Sequence, residues 1–242
     1  MAKTLRHCLI SLGLAAIIGG CATHEGPRAG VRPAGVGSSA ETQLAEDVAA
    51  QDRAVYIDLI RSMLKQEQYY AALAHVQQRR ASGARDNDEL RFFEAEARRG
   101  LGQVAQAHEL YQSLFKTALA GQAYHGMGLL YGRSNPLRAL DYLKQAAQRL
   151  PADAQIRNDY GYALMRSGRM AEAMMELSTA VELAPDLDIA RNNLLLLMMV
   201  QRNEAAVQRI ISQAAVPAET VSRLRRQALT MQAPQMERGG VR

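Results

Sequence analysis

Between residues 139 and 185 the same side chains return after 34 positions: Ala139 and Ala173, Leu143 and Leu177, Ala146 and Ala180, Pro151 and Pro185. A period of this length constrains the fold more than any composition figure. One such unit cannot bury its apolar face alone, so several must stack and share a continuous core. Within the unit, apolar residues recur at three- and four-residue intervals, the spacing of one face of an α-helix. No strand-like alternation bounded by turn signals interrupts them. The best-formed copy lies within "NDYGYALMRSGRMAEAMMELSTAVELAPD". Its Gly161 and Ala173 let two helices of a hairpin approach closely, and Ala180 lets the next hairpin stack. Gly168 falls in the turn, and Pro185 ends the second helix.

The order Tyr160-Gly161, Leu164, Gly168, Ala173, Leu177, Ala180, Pro185 resembles the tetratricopeptide repeat. A preceding copy carries Gly128, Tyr131, Ala139, Leu143, Ala146 and Pro151, one residue shorter in the turn "GRSNP". There Asn135-Pro136 reads as a helix cap followed by proline at the first helical position. Ala95, Gly102, Ala107, Tyr111 and Leu114 mark a third copy. Residues 53 to 86, with Met63, Tyr69, Ala72 and Val76, mark a weak fourth. "LDIARNNLLLLMMVQRNEAAVQRII" is a fifth, with Leu195 and Val207 in place of small residues. After Pro217, Val221, Leu224, Ala228 and Met231 form the apolar stripe of a last helix suited to cover the exposed end of the stack. The expected fold is all-α: a tetratricopeptide superhelical solenoid of about four to five helix pairs plus a C-terminal capping helix. It occupies residues 46–233, with a frayed tail at 234–242.

The N-terminus is of another kind. "MAKTLRH" is basic, and "CLISLGLAAIIGG" is apolar but shorter than the ~17–25 residues of a spanning helix. These are the flanks and length of a signal peptide over residues 1–20. Ile18-Gly19-Gly20-Cys21 resembles a bacterial lipobox. That resemblance implies lipidation of Cys21, and Ala22 after it implies the outer membrane, facing the periplasm. Removal of Lys3 and Arg6 lowers the formal net charge from +5 to +3, too mild to argue for nucleic acid. Cys8 leaves with the signal, so no thiol remains for a disulfide or for catalysis. Residues 21–45 hold four glycines and two prolines between 22 and 44, and read as a flexible tether of roughly 25 Å root-mean-square span.

The chain carries no phosphate-binding glycine loop, no H-E-x-x-H and no nucleophile elbow. His24, His75, His108 and His125 lack metal-ligand spacing. An enzyme is therefore not expected, nor a cofactor, metal or small-molecule substrate. A solenoid of helix pairs instead offers a groove lined by the first helix of each pair. Carrying over the groove positions of tetratricopeptide proteins selects Gln155, Asn158, Tyr162, Met165 and Arg166 in the best copy. The next contributes Ile189, Asn192, Leu196 and Met199, and the one before contributes Gln122, His125, Leu129 and Arg133. Asn158 and Asn192, 34 apart, have amides able to donate to and accept from a peptide backbone, or serve only to favour helix starts.

Signal, tether, central Tyr-Gly repeat, the "ARNNLLLLMMVQRNEAAVQRII" block and the Arg-rich last helix together resemble the lipoprotein of the tight-adherence (Flp) pilus assembly system. That resemblance covers residues 21–242. It implies a pilotin: a protein held in the membrane by acyl chains on Cys21 that helps the outer-membrane secretin, or another pilus-assembly protein, to localise or multimerise. The alternative expectation is a scaffold for cell-wall hydrolases or other outer-membrane assembly machinery.

Overall fold

The computed structural model describes residues 37–82 and 87–239. The signal segment, Cys21 and the tether up to residue 36 lie outside the described residues. All regular structure among the described residues is helical. Five successive pairs are α1 (Gly37–Lys65) with α2 (Tyr69–Ala81), α3 (Asp88–Gly100) with α4 (Val104–Ser113), α5 (Ala120–Tyr131) with α6 (Pro136–Arg149), α7 (Ala154–Arg166) with α8 (Met170–Leu183), and α9 (Asp188–Val200) with α10 (Glu204–Ala214). A single helix, α11 (Ala218–Gly239), follows. Residues from Ala49 onward belong to one compact unit, and the first turns of α1 fall outside it.

Two ends differ from expectation. α1 begins at Gly37, inside the stretch read as tether, and α11 runs to Gly239, through most of the stretch read as a frayed tail. The first difference has a local cause. Beyond Pro33 and Gly35, "AETQLAEDVAAQ" contains neither Gly nor Pro, and most of its residues are strong helix formers.

The expected close approaches are present. A Cβ built on Gly161 would lie 2.7 Å from Leu177 Cγ, and one on Gly128 would lie 2.5 Å from Leu143 Cγ. In each hairpin, therefore, a leucine of the second helix sits directly on the bare backbone of the first. Gly102 and Gly168 take positive φ (72° and 82°) in the turns that follow α3 and α7. Asn87, Asn135, Asp153 and Asn203 each accept a hydrogen bond from the backbone N–H three residues on, at 2.8–3.1 Å, and so start α3, α6, α7 and α10.

The core is continuous from α6 to α11, with Leu164, Leu177, Leu195, Leu197 and Val207 fully buried. Towards the N-terminus bulkier groups fill the interfaces. Ile57 and Ile60 of α1 pack with Val76 of α2 and with Leu90 and Phe93 of α3. Glu94, almost wholly buried, is held by Arg80 and Arg98. Tyr111 is fully buried, and its hydroxyl donates to Glu96, which also takes Arg99 at 2.7 Å. Burial, and then the Glu96 charge, push the Tyr111 hydroxyl well above its usual range. Tyr131 and Tyr142 stack at 6.0 Å with the Arg138 guanidinium 4.3 Å above the Tyr131 ring. His108 meets Tyr131 edge-on and shares a hydrogen bond of 3.1 Å with its hydroxyl.

Two stability tests follow from this packing. Gly161→Ala is expected to lower unfolding free energy by ~1–3 kcal/mol, because Leu177 has to yield. Gly132→Ala meets only carbonyl oxygens at 3.5 Å and should be neutral within about 0.5 kcal/mol; equal effects in urea titrations would contradict the hairpin contact. For His108, burial first and Arg138 second hold the imidazole below its ordinary value of 6.5. The folded form then takes up a proton less readily than the unfolded chain. This costs nothing above pH 6.5 and destabilises progressively as pH falls below it. The melting temperature should therefore drop more steeply between pH 7 and about pH 5 in the native chain than in His108→Gln. Parallel curves would assign the acid sensitivity elsewhere.

Candidate partner-binding groove

Along α7, Gln155, Asp159, Tyr162 and Arg166 are spaced four, three and four residues apart, which places them on one helix face. That face borders two cavities. The first, about 260 Å³, lies between α5, α6 and α7, with Leu129, Arg133, Ala139, Leu143, Tyr162 and Arg166 in its walls. The second, about 530 Å³, lies between α7, α9 and α11 and includes Ile189, Asn192, Arg223 and Gln227. Asp159 and Tyr162 border both.

Asp159 organises the polar side of this surface. One carboxylate oxygen accepts from His125 Nε2 at 2.7 Å, across from α5. The Gln155 amide reaches the same carboxylate at 3.1 and 3.2 Å, and the Asn158 amide at 2.9 Å. Gly128 and Gly161 put α5 and α7 in a 33-residue register, so His125 bonds to the residue one past its equivalent, Asn158. The same relation recurs at the far end of the helices. Arg166 donates to the Gly132 carbonyl at 3.2 Å, and thereby takes up one of the free carbonyls where α5 ends.

Several expected groove residues belong here, and others do not. Tyr162, Arg166, Arg133, Leu129, Ile189 and Asn192 line the cavities, while His125 and Gln155 hold Asp159. Asn158 is a correction: it is completely buried, and its carbonyl oxygen accepts from Asn193 of α9 at 2.8 Å. It ties α7 to α9 and presents nothing to a ligand. Leu196 is likewise fully buried, and Met165 and Met199 are core side chains. All three belong to the core that α11 joins through Leu224 and Ala228. Gln122 sits half-buried on α5, with its amide oxygen shielded from solvent and meeting no donor among the described residues. The sequence reading passed over Asp159: Gln155 four residues before it is a local signal on one helix face, but the bond from His125 on α5 is not.

The last helix covers the end of the stack as expected, and it does more. α11 packs chiefly on α9, the first helix of its pair, and buries Leu224 and Ala228 there. Gln227 donates to the Tyr162 hydroxyl at 3.3 Å. Gln232 donates to the carbonyls of Met199 and Val200 at 3.1 and 2.8 Å, satisfying the end of α9. Arg225 pairs with Glu204 of α10 at 2.6 Å. α11 is thus a side wall of the second cavity as well as a cover for the stack. Among the described residues no cluster of three or more His, Cys, Asp or Glu is placed to hold a metal ion, and no helix is long and apolar enough to cross a membrane.

Stacked helix hairpins with a bordered groove define a tetratricopeptide-repeat protein. Residues 130–196 match the family model described as Tetratricopeptide repeat. Over 218 residues the chain is 32% identical to the TPR repeat-containing protein PA4299 of Pseudomonas aeruginosa, a match covering 88% of this chain and 81% of that one. The chain belongs to the tetratricopeptide-repeat family. In structure it is similar to TTC0263, a thermophilic TPR protein of Thermus thermophilus (TM-score 0.56, 21% identity, 73% of this chain and 98% of that one). It is also similar to MamA from Desulfovibrio magneticus RS-1 (TM-score 0.52, 16% identity, 66% and 91%). These two likenesses are of fold. The tetratricopeptide fold is typically a non-catalytic scaffold for protein–protein contacts, and a protein partner is what the groove suits.

The correction at Asn158 separates two effects that a combined substitution would blur. Asn158→Ala should cost ~1–3 kcal/mol of stability, since it strips a buried partner from Asn193 and a donor from Asp159. Tyr162→Ala should cost less stability while removing the aromatic surface common to both cavities. Thermal unfolding of the two single variants checks the order; a larger loss for Tyr162→Ala would make its ring a core element.

Proposed function

We propose that this protein is a lipid-anchored pilotin or assembly factor. It binds the secretin of a tight-adherence (Flp) pilus system in the outer membrane and promotes its localisation or multimerisation. The observation that carries a protein-binding role is the open cavity between α5 and α7, apolar at its base and bordered by Tyr162, Arg133 and Arg166. An aromatic residue beside an apolar recess is the usual anchor of a protein interface. The anchor itself rests on the lipobox at Cys21 and the Gly- and Pro-containing segment after it, which together would hold the solenoid a short distance from the bilayer. The secretin as partner rests on the whole-chain resemblance of signal, tether, repeats and closing helix.

Two measurements test this reading. Cys21→Ser should shift the protein out of outer-membrane fractions, and unchanged fractionation would remove the anchor. Deleting the protein should leave secretin present but reduce its multimer content in outer membranes. Normal multimers would point to the hydrolase or outer-membrane scaffold instead.

A further inference from the structure

The cavity between α5, α6 and α7 is unevenly charged. Arg133 is exposed in the turn after α5 and forms no ion pair with a described residue. Arg166, from the end of α7, is exposed and spends one N–H on the Gly132 carbonyl. Other arginines nearby are engaged: Arg157 pairs with Glu176 at 2.7 Å and Arg169 with Glu172, while Arg138 and Arg149 lie over the Tyr131 and Tyr124 rings at 4.3 and 4.4 Å. The one carboxylate in the cavity wall, Asp159, is already occupied by His125, Gln155 and Asn158. The rim therefore carries two guanidiniums with unused donors and no available acid. A cation at a helix C-terminus also complements the helix dipole. That accounts for the bond from Arg166 to the end of α5, but not for Arg133, whose side chain makes no hydrogen bond to a described residue.

The cavity is small. Leu129, Ala139, Leu143, Ala163 and the Tyr162 ring supply apolar walls of an open recess that measures about 260 Å³ as a whole. This is below the ~300–1,000 Å³ of small-molecule sites and suits one large side chain. We propose that this cavity is the anchor site for an acidic amphipathic segment of the partner protein. One large apolar side chain enters the recess, and a Glu or Asp about one helical turn away meets Arg133 and Arg166. This rests on the reading of the groove as a protein-binding surface, and it names the chemistry of the bound segment. Guanidiniums offer planar, bidentate recognition of carboxylates, and their charge selects against basic segments at little cost in affinity.

The test uses the mature chain and two labelled amphipathic peptides of the same sequence, with Leu followed three residues later by Glu in one and by Lys in the other. By fluorescence anisotropy at low salt the Glu peptide should bind roughly tenfold or more tightly, and added salt should shrink the difference. Arg133→Glu with Arg166→Glu should reverse the preference, so that the Lys peptide becomes the better ligand. Ala163→Phe, which fills the recess, should weaken both peptides, with circular dichroism confirming that each variant is folded. Equal binding of the two peptides, binding of neither, or a Glu preference that survives the charge reversal would overturn the proposal. Co-purification of secretin separates this from the broader reading. Secretin that binds the native chain and the charge-reversed chain equally would leave the pilotin role standing and move its contact elsewhere. No secretin on the native chain would end the pilotin role and leave the peptide result to stand by itself.

Discussion

A leucine resting on a glycine holds the centre of this solenoid together. Leu177 over Gly161 and Leu143 over Gly128 bring the helices of two hairpins close enough that a single methyl group would not fit between them. Close approach turns a pair of amphipathic helices into one rigid unit with a fixed crossing geometry, and rigid units stack with a fixed register. The hydrogen bonds between successive repeats follow from that register. His125 reaches Asp159, and Arg166 reaches Gly132, each one position past the 33-residue equivalence that relates α5 to α7. Without the Gly–Leu contact those donors would have no defined acceptor to meet.

The outer repeats solve the same problem with different materials. In the first three helices no Gly–Leu contact joins the pairs; isoleucines, Phe93 and the Arg80–Glu94–Arg98 cluster fill the space. A buried charge cluster of this sort contributes little net stability but penalises misplacement strongly, since losing one partner leaves an unpaired charge. At the C-terminal end Leu195 and Val207 replace the small residues, and α11 adds the burial that a further repeat would otherwise have supplied. The centre therefore closes leucine on glycine, and the N-terminal end sets the Tyr69 ring on Gly100 beside a buried charge cluster.

Much of this was legible in the sequence. The 34-residue return of Ala, Leu and Pro identified the solenoid, the Asn135-Pro136 start and the Gly161–Ala173 hairpin, because each depends on contacts within one repeat. The groove was legible only in part. Tyr162, Arg133 and Arg166 follow from helix phase. Asn158 and Leu196 did not: Asn158 bonds to Asn193 of α9, and Leu196, although in phase with Tyr162, lies in the core that α11 completes on α9. The bonds of Asp159 to His125 and of Gln227 to Tyr162 span 34 and 65 residues, and no local spacing encodes them.

The placement of α11 decides how much groove there is. Had it continued the stack as a next first helix, it would have packed on α10 and left the α7–α9 face open. Instead it lies mainly on α9, and its Gln227 takes the Tyr162 hydroxyl. Past α7 the groove is therefore walled by α11 into the second cavity. Beyond that point the chain supplies its own helix, with Leu224 and Ala228 already in the apolar positions. Tyr162 marks the boundary: its hydroxyl belongs to the cap, and its ring also borders the cavity between α5 and α7. A residue held from one side by the chain's own helix loses little side-chain entropy on contact from the other. That preorganisation makes the open half of the groove a better binding surface than an isolated exposed tyrosine would be.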